Sequence, residues 1–201
     1  IYTDYFVGSV RCVYETGLSV ATDEDNSYYI PVGHDYEGAP KQLDRDEVLK
    51  KLKPIIEKTP LIGQHLKFDR NVLANYDIHL NAIENDTMLM SYVYDPTATR
   101  HNLDAMASHY LNVKTTTFED VAGKGVKQLT FNQIPLEKAS DYAAEDADIT
   151  FRCYSHLKPA LAKTPSLEKV LHEIELPLVP VLSDTVSYTH LEPTRQIVIS
   201  Y

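Results

Sequence analysis

Acidic side chains in one predicted helix fall on the face that their neighbours mark for burial. Residues 141 to 150 read "DYAAEDADIT" and lie within a helix predicted from Pro135 to about Lys158, with Pro159 as its stop. Asp146 falls inside the apolar stripe of this helix and is expected to point inward. An inward carboxylate needs a cation, hydrogen-bond donors or a proton, so Asp146 is a candidate for chemistry. The stripe comprises Ala139, Tyr142, Ala143, Ile149, Thr150, Cys153 and Leu157, and the acidic residues off it, expected to be solvated, are Asp141, Glu145 and Asp148.

A second predicted helix, "KFDRNVLANY", shows the same placement. If it begins near Lys67, Asp69 aligns with Val72 and Leu73 on the apolar side. Two inward carboxylates on separate helices suit a hard divalent cation such as Mg²⁺. Paired metals can activate water and stabilise the leaving oxygen in phosphodiester hydrolysis. Tyr142 lies one turn before Asp146, where its hydroxyl could address the same bound group.

Structural roles compete with these assignments. A single aspartate in an apolar stripe is more often capped or paired, and Arg70 or Lys67 could serve Asp69. Asp86 in "ENDTM" is a good helix N-cap, so a structural role is favoured over a catalytic one for this residue. The eight histidines show no metal-ligand spacing, and "GKGVK" at 123–127 lacks the spacing of a phosphate loop, which favours a flexible basic loop.

Strands precede and alternate with helices along the chain, which predicts a mixed α/β domain. Two neighbouring strands, "YFVGSVRCVYE" and "SYYIPVGH", are separated by the polar loop "ATDEDN". The other predicted strands are "PLIGQ" and "DIHLNAIEN", and the other predicted helices are "LDRDEVLKKLKPIIEK", "DTMLMSYVY", "NLDAMASHYL", a turn at "FEDVA", and Leu167 to Ser183.

Composition narrows the function classes. With 201 residues, 43% hydrophobic and 24% charged, the chain is typical of one globular domain. It shows neither an apolar run of about 20 residues nor a leader-like start, and its two cysteines lie in no metal-type spacing, so we expect a cytoplasmic protein. The net charge of -10 argues against broad electrostatic adhesion to DNA or membranes, although bound metals would still permit a nucleic-acid substrate.

Five segments in order resemble one family: "GQHLKFDRNVLANY", "DTMLMSYVYDPTATRHNLDAMASHYL", "TFEDVAGKG", "QLTFNQI" and "YAAEDADIT". They are similar to the 3'-5' exonuclease (proofreading) domain of bacterial family A DNA polymerases, and "EIELPLVPVLSD" resembles the helix that leads into the polymerase domain. The resemblance covers nearly all of residues 6 to 184. It implies a ribonuclease H-like α/β fold with a mixed sheet flanked by helices, two divalent metal ions (Mg, or Mn or Zn), and removal of mismatched nucleotides from a 3' end.

The resemblance also assigns site residues. It implies metal-binding aspartates at Asp69 and Asp146, and Tyr142 as the residue that positions the attacking water. Phe118 in "TFED" matches a position that packs near the terminal base, and Arg100 in "RHNLD" one near the substrate backbone. The implied partners are a single-stranded DNA 3' end and, through the parent polymerase, primer-template DNA, in a monomer of the bacterial cytoplasm.

Two departures from the family pattern matter. The first motif, an Asp-x-Glu on the opening strand, does not occur in residues 1 to 10, so we expect that strand to be missing and the chain to bind metal poorly and to be inactive. His65 stands where the family usually has Asn in "GQNLKFD". An imidazole can still donate a hydrogen bond, so tuning of substrate binding is expected there rather than loss.

The predicted organisation has three parts. Residues 1–163 form the exonuclease domain without its first motif, 164–185 form the helix toward a polymerase domain, and 186–201 resemble translated sequencing-adapter DNA rather than native sequence. Two other functions stay open: a stand-alone exoribonuclease of the same superfamily, and a non-catalytic exonuclease-like scaffold. An in-frame Asp-x-Glu strand in the gene ahead of Ile1 would favour catalysis over the scaffold.

Overall fold

The fold is built on one five-stranded mixed sheet. The computed structural model describes residues 6–9, 16–24 and 26–191, with side chains for 16–24 and 26–185. Strand order is β3-β2-β1-β4-β5, in which β1 is antiparallel to β2 and parallel to β4. The remaining pairs are antiparallel β2 with β3 and parallel β4 with β5. The strands are β1 (Phe6–Ser9), β2 (Gly17–Ala21), β3 (Ser27–Pro31), β4 (Leu61–Gly63) and β5 (Ile83–Asp86).

Helices cover the sheet, and each predicted helix is present. The turn at "FEDVA" has the predicted ends, the helix predicted from Leu167 to Ser183 is divided among three helical elements, and the others have shifted ends. The helices are α1 (Arg45–Ile56), α2 (Leu66–Ala74), α3 (Thr87–Tyr94), α4 (Leu103–Met106), α5 (Phe118–Ala122), α6 (Leu136–Leu161), α7 (Pro165–Val170) and α8 (Leu176–Leu191). Two π-helical turns extend this set, Ala107–Leu111 after α4 and Leu171–Glu175 between α7 and α8.

Alternate residues of β4 point to opposite faces of the sheet and define two core clusters. Ile62 packs in the cluster that contains Ala147 and Ile149 of α6. Its neighbour Leu61 packs in the other cluster, with Leu66 and Leu73 of α2. The helices that carry the two candidate carboxylates therefore cover opposite faces of one sheet.

Cys153 lies in the α6 cluster as a fully buried residue. Burial raises the pKa of its thiol to about 12, so the side chain stays protonated and packs as a small apolar group. Among the described residues, no helix combines the length and apolarity needed to cross a membrane.

Two sequence-based expectations are corrected here. The central place in the sheet, expected to be left by a missing first strand, is held by β1, because four residues suffice to continue the hydrogen bonding between β2 and β4. Pro159 does not stop α6, which continues to Leu161. Because Pro159 lies within the last turn, its missing N–H and its ring disturb only the end of the helix.

Of the strand predicted over "YFVGSVRCVYE", Phe6–Ser9 form β1, and Tyr5 and residues 10–15 lie outside the described part of the chain. The sequence-based reading passed over β2, which begins at Gly17 and forms the hairpin with β3. The helix α8 runs across the boundary predicted at residues 185 and 186, and the three-part organisation stays a prediction.

Candidate active site

The carboxylate of Asp69 is placed by a sharp turn from strand to helix. After β4 the backbone passes through His65 in the left-handed region, with φ of 62°, and α2 starts at Leu66. Asp69 lies in the first turn of α2 and is 3% exposed, which confirms its predicted inward placement. The same turn leaves the His65 side chain exposed.

Asp86 joins the starts of two helices. Its carboxylate accepts hydrogen bonds from the backbone N–H groups of Met88 (3.0 Å) and Leu89 (3.4 Å), which confirms its predicted role as the N-cap of α3. It also accepts from the N–H groups of His65 (3.1 Å) and Leu66 (2.7 Å) at the start of α2. Burial raises the pKa of this carboxyl, an effect that the backbone donors oppose.

Gln64 connects the loop that carries Arg100 to the starts of α2 and α3. Its side-chain amide donates to the carbonyl of His101 (2.9 Å), and its carbonyl oxygen accepts from the hydroxyl of Thr87. His65 follows Gln64 and Arg100 precedes His101, so the two predicted substrate-contacting residues lie on connected segments. Both side chains are exposed, as substrate contact requires.

The candidate residues on α6 are placed by apolar packing. The predicted stripe is buried along its whole length, with Asp146 3% exposed and Tyr142 5% exposed within it. The hydroxyl of Thr150 donates to the backbone carbonyl of Asp146 over 2.8 Å, so the polar group of the following turn is satisfied within the helix.

An aromatic cluster surrounds Tyr142. The ring of Phe118, at the start of α5, lies 6.3 Å from the Tyr142 ring, and that of Phe131 lies 6.1 Å from it. Phe131 in turn contacts Tyr29 (6.1 Å) and His34 (5.8 Å). The structure therefore brings Phe118 and Tyr142 together.

The carboxylates off the α6 stripe have other roles, and only Asp141 is fully exposed as expected. Glu145 is half-buried and accepts a hydrogen bond from the backbone N–H of Thr116 over 2.9 Å. Asp148, also half-buried, pairs with Arg152 one turn later at 3.4 Å. A helix-period argument misses such partners because they come from a distant loop or from the next turn.

Of the two residues proposed as ion-pair partners of Asp69, Arg70 and Lys67, Arg70 has a different partner. Arg70 pairs with Asp184 of α8 at 2.7 Å and also donates to the carbonyl of Pro180. One residue further along α2, Asn71 accepts a hydrogen bond from the buried Ser183 hydroxyl. These contacts fix the outer side of α2 against α8.

The carboxylates at this site supply part of what a divalent metal pair needs. Two buried carboxylates suit hard cations, but Ca²⁺ or Mg²⁺ sites take about six or more oxygen ligands. Within residues 16–24 and 26–185, whose side chains the structure describes, no three His, Cys, Asp or Glu are grouped to hold a metal ion. Those residues do not by themselves make a complete two-metal site.

Sequence reasoning missed three features of this region. The second cap made by Asp86 and the bridge made by Gln64 depend on the β4 and β5 strand ends lying side by side, and no local signal shows this. An exposed aromatic ring at Phe68, next to Asp69, could have been found from its position on the polar side of the predicted helix.

The sequence comparisons find relatives over most of the chain. A family model described as 3'-5' exonuclease, of the DNA polymerase A group, matches residues 5–162. DNA polymerase I of Pseudomonas aeruginosa is 54% identical over 171 residues, which are 83% of this chain and 19% of that protein. DNA polymerase I of Rhizobium leguminosarum is 37% identical over 147 residues, 72% of this chain and 14% of that protein. The chain thus belongs to the 3'-5' exonuclease family of DNA polymerase I, and spans about a fifth or less of these relatives.

Solved structures show the same fold at low identity. The polymerase domain of Pol1 from M. smegmatis, in complex with a DNA primer-template and dNTP, superposes with a TM-score of 0.62 at 20% identity, covering 90% of this chain and 27% of that one. Brucella melitensis NrnC superposes with a TM-score of 0.55 at 18% identity, covering 88% of this chain and 78% of that one. The predicted ribonuclease H-like α/β class is confirmed.

Proposed function

We propose that this chain is the proofreading domain of a bacterial DNA polymerase I and that its site acts on the 3' end of single-stranded DNA. The observation that carries the proposal is the family match over residues 5–162 together with Asp69, Tyr142 and Asp146 in buried, helix-fixed positions. The parent protein would work as a monomer in the cytoplasm and hold primer-template DNA through its polymerase domain.

Exonucleases of this superfamily generally depend on divalent metal ions. We assign Asp69 and Asp146 as the ligands that this chain contributes to Mg²⁺, or to Mn²⁺ or Zn²⁺. Carboxylates on opposite faces of a sheet can bind the same metal ion only beyond the ends of the strands. The carboxyl end of β4, where α2 begins, is such a place. The bound metal would supply an activated water and stabilise the leaving oxygen.

The protein side of the mechanism follows from the other candidates. Tyr142, one turn before Asp146, would orient the attacking water, and Phe118 would stack against the terminal base, a contact that tolerates any sequence. Arg100 and His65 would hold the strand through its backbone. Since we assign two carboxylates of the described residues to the metals, we expect the chain as it stands to bind metal weakly and to cleave slowly or not at all.

The test uses a chimera in which residues 1–15 are replaced by a strand that carries Asp-x-Glu. We expect this chimera to release nucleotides from a 3'-labelled single-stranded oligonucleotide in Mg²⁺, and Asp146→Asn to abolish the release. Asp141→Asn, which changes an exposed carboxylate on the same helix, is the matched control and should leave the rate unchanged. Cleavage by the Asp146→Asn chimera would overturn the ligand assignment.

Three further measurements test the role of Tyr142 and separate the alternatives. Tyr142→Phe should slow cleavage by the chimera without changing metal affinity measured by calorimetry, as a water-positioning role requires. A chimera that binds single-stranded DNA but never cleaves it would indicate a scaffold. Faster cleavage of RNA than of DNA would indicate an exoribonuclease.

A further inference from the structure

An exposed aromatic side chain lies beside the loop that carries Arg100. Tyr92 is on α3 and is 52% exposed, a large fraction for an aromatic ring in a folded domain. The ring of His101 meets it edge-on, with centroids 5.6 Å apart and an interplanar angle of 83°. At 52% exposure, about half of the Tyr92 residue remains open to solvent beside this contact.

The His101 ring is held in one orientation by hydrogen bonds at both nitrogens. Nε2 lies 3.2 Å from the carbonyl oxygen of Pro96 and Nδ1 lies 2.8 Å from the Ser91 hydroxyl. A carbonyl can only accept, so Nε2 carries the proton and Nδ1 accepts from Ser91, which in turn accepts from Tyr110 at 3.0 Å. The His101 ring that Tyr92 contacts is therefore fixed in place.

The backbone beneath this pair is also fixed in an unusual conformation. His101 has a φ of 57°, a left-handed value that residues other than glycine adopt rarely and that clusters at ligand-binding sites. Its carbonyl accepts from Gln64, at the end of β4 and one residue before His65. These contacts hold Arg100 and Tyr92 beside the start of α2, where Asp69 lies.

We propose that Tyr92 is a stacking platform for a base of the bound single strand, with Arg100 on the adjacent phosphate. This rests on the proposed function and deepens it. A chain with net charge -10 has little general attraction for DNA, so a strand must be held by local contacts of this kind. An exposed ring with an exposed arginine in the adjoining loop suits the alternating bases and phosphates of a single strand. Since the terminal base is assigned to Phe118, Tyr92 would take a nucleotide further from the 3' end.

The test measures binding of a fluorescent ten-nucleotide single-stranded DNA by anisotropy. We expect Tyr92→Ala to weaken binding about tenfold and Tyr92→Phe, which keeps the ring, to restore it. Tyr28→Ala removes a tyrosine of nearly equal exposure, 53%, from strand β3 and should have no effect. With an abasic site scanned along the oligonucleotide, the Tyr92→Ala penalty should vanish at one internal position, which locates the stacked base.

The outcomes separate this proposal from the proposed function. If Phe118→Ala weakens binding and Tyr92→Ala does not, the platform is refuted while the exonuclease assignment stands. If the penalty of Tyr92→Ala is the same with every abasic oligonucleotide, the ring does not stack on a base and the platform is likewise refuted. If the unsubstituted chain does not bind the oligonucleotide at all, both fail.

Discussion

The two helices that carry the candidate carboxylates are held in place by different forces. The nine-residue α2 is too short to be stable alone, and hydrogen bonds and an ion pair from three other elements fix it: Asp86 and Gln64 at its start, α8 along its side. The 26-residue α6 is fixed by an apolar stripe that packs across four strands. A short helix thus takes its position from polar contacts at its end, and a long one from burial along its length.

The largest loss of stability is expected from Asp86→Ala. The substitution leaves backbone N–H groups at the starts of both α2 and α3 without their buried acceptor, and we expect the free energy of unfolding to fall by about 4 kcal/mol. Asp44→Ala is the matched control, because this exposed N-cap of α1 accepts from Glu47 alone, and it should cost about 1 kcal/mol.

Urea unfolding gives these free energies, and hydrogen exchange locates the change. For Asp86→Ala, amides of α2 should exchange faster than those of α6. If Asp86→Ala costs no more than Asp44→Ala, polar contacts at the helix start do not determine the position of α2.

A smaller loss, about 3 kcal/mol, is expected from Leu157→Ala on α6, since it leaves a cavity under a fully buried side chain. All slowly exchanging amides should lose protection together, because this stripe is part of the main core. Lys138→Ala, an exposed substitution on the same helix, should be nearly neutral in the same urea titration. Faster exchange confined to α6 would mean that the helix is held locally, like α2.

Asn71→Ala tests the side of α2. The Asn71 side chain accepts from the Ser183 hydroxyl of α8, and its removal should cost about 1 kcal/mol in urea unfolding. Asn75→Ala, at the exposed end of the same helix, is the control and should change the free energy by a few tenths at most. Equal effects of the two substitutions would show that α8 does not brace α2.

The same contrast explains what the sequence could and could not predict. The burial of Asp146 followed from a helical period that repeats over many residues of α6, and packing obeys that period. Asp69 was also predicted correctly, because its helix places it with Leu73 on one face. Period alone could not show that Asp86 caps two helices or that Arg70 pairs with Asp184, since those partners lie 20 and 114 residues away along the chain.

Errors in the fold had equally local causes. The strand β2 received no assignment from the sequence, and its pairing with β1 and β3 makes a strand of it. Pro159 was taken as a helix stop because proline disfavours the helix interior, but in the last turn that penalty is small enough for the packing of Leu157 and Leu161 to override it.

The smallest expected effect is a change of stability with pH. It tests the aromatic cluster around Tyr142, which holds the first half of α6. His34 is buried against Phe131 and Tyr29, and burial lowers the pKa of its imidazole below 6.5, opposed by nearby backbone carbonyls and Asp35. Below about pH 6.5 the unfolded chain therefore takes up a proton that the folded chain resists, so the free energy of unfolding falls as the pH drops toward the folded pKa. Urea unfolding at about pH 7.5 and pH 5.5 should show this loss, reduced in His34→Gln but unchanged in the exposed control His156→Gln. If the pH-dependent loss of unfolding free energy is the same with and without His34, another group causes it. Apolar packing, and not the neutral state of the His34 ring, would then hold this end of α6.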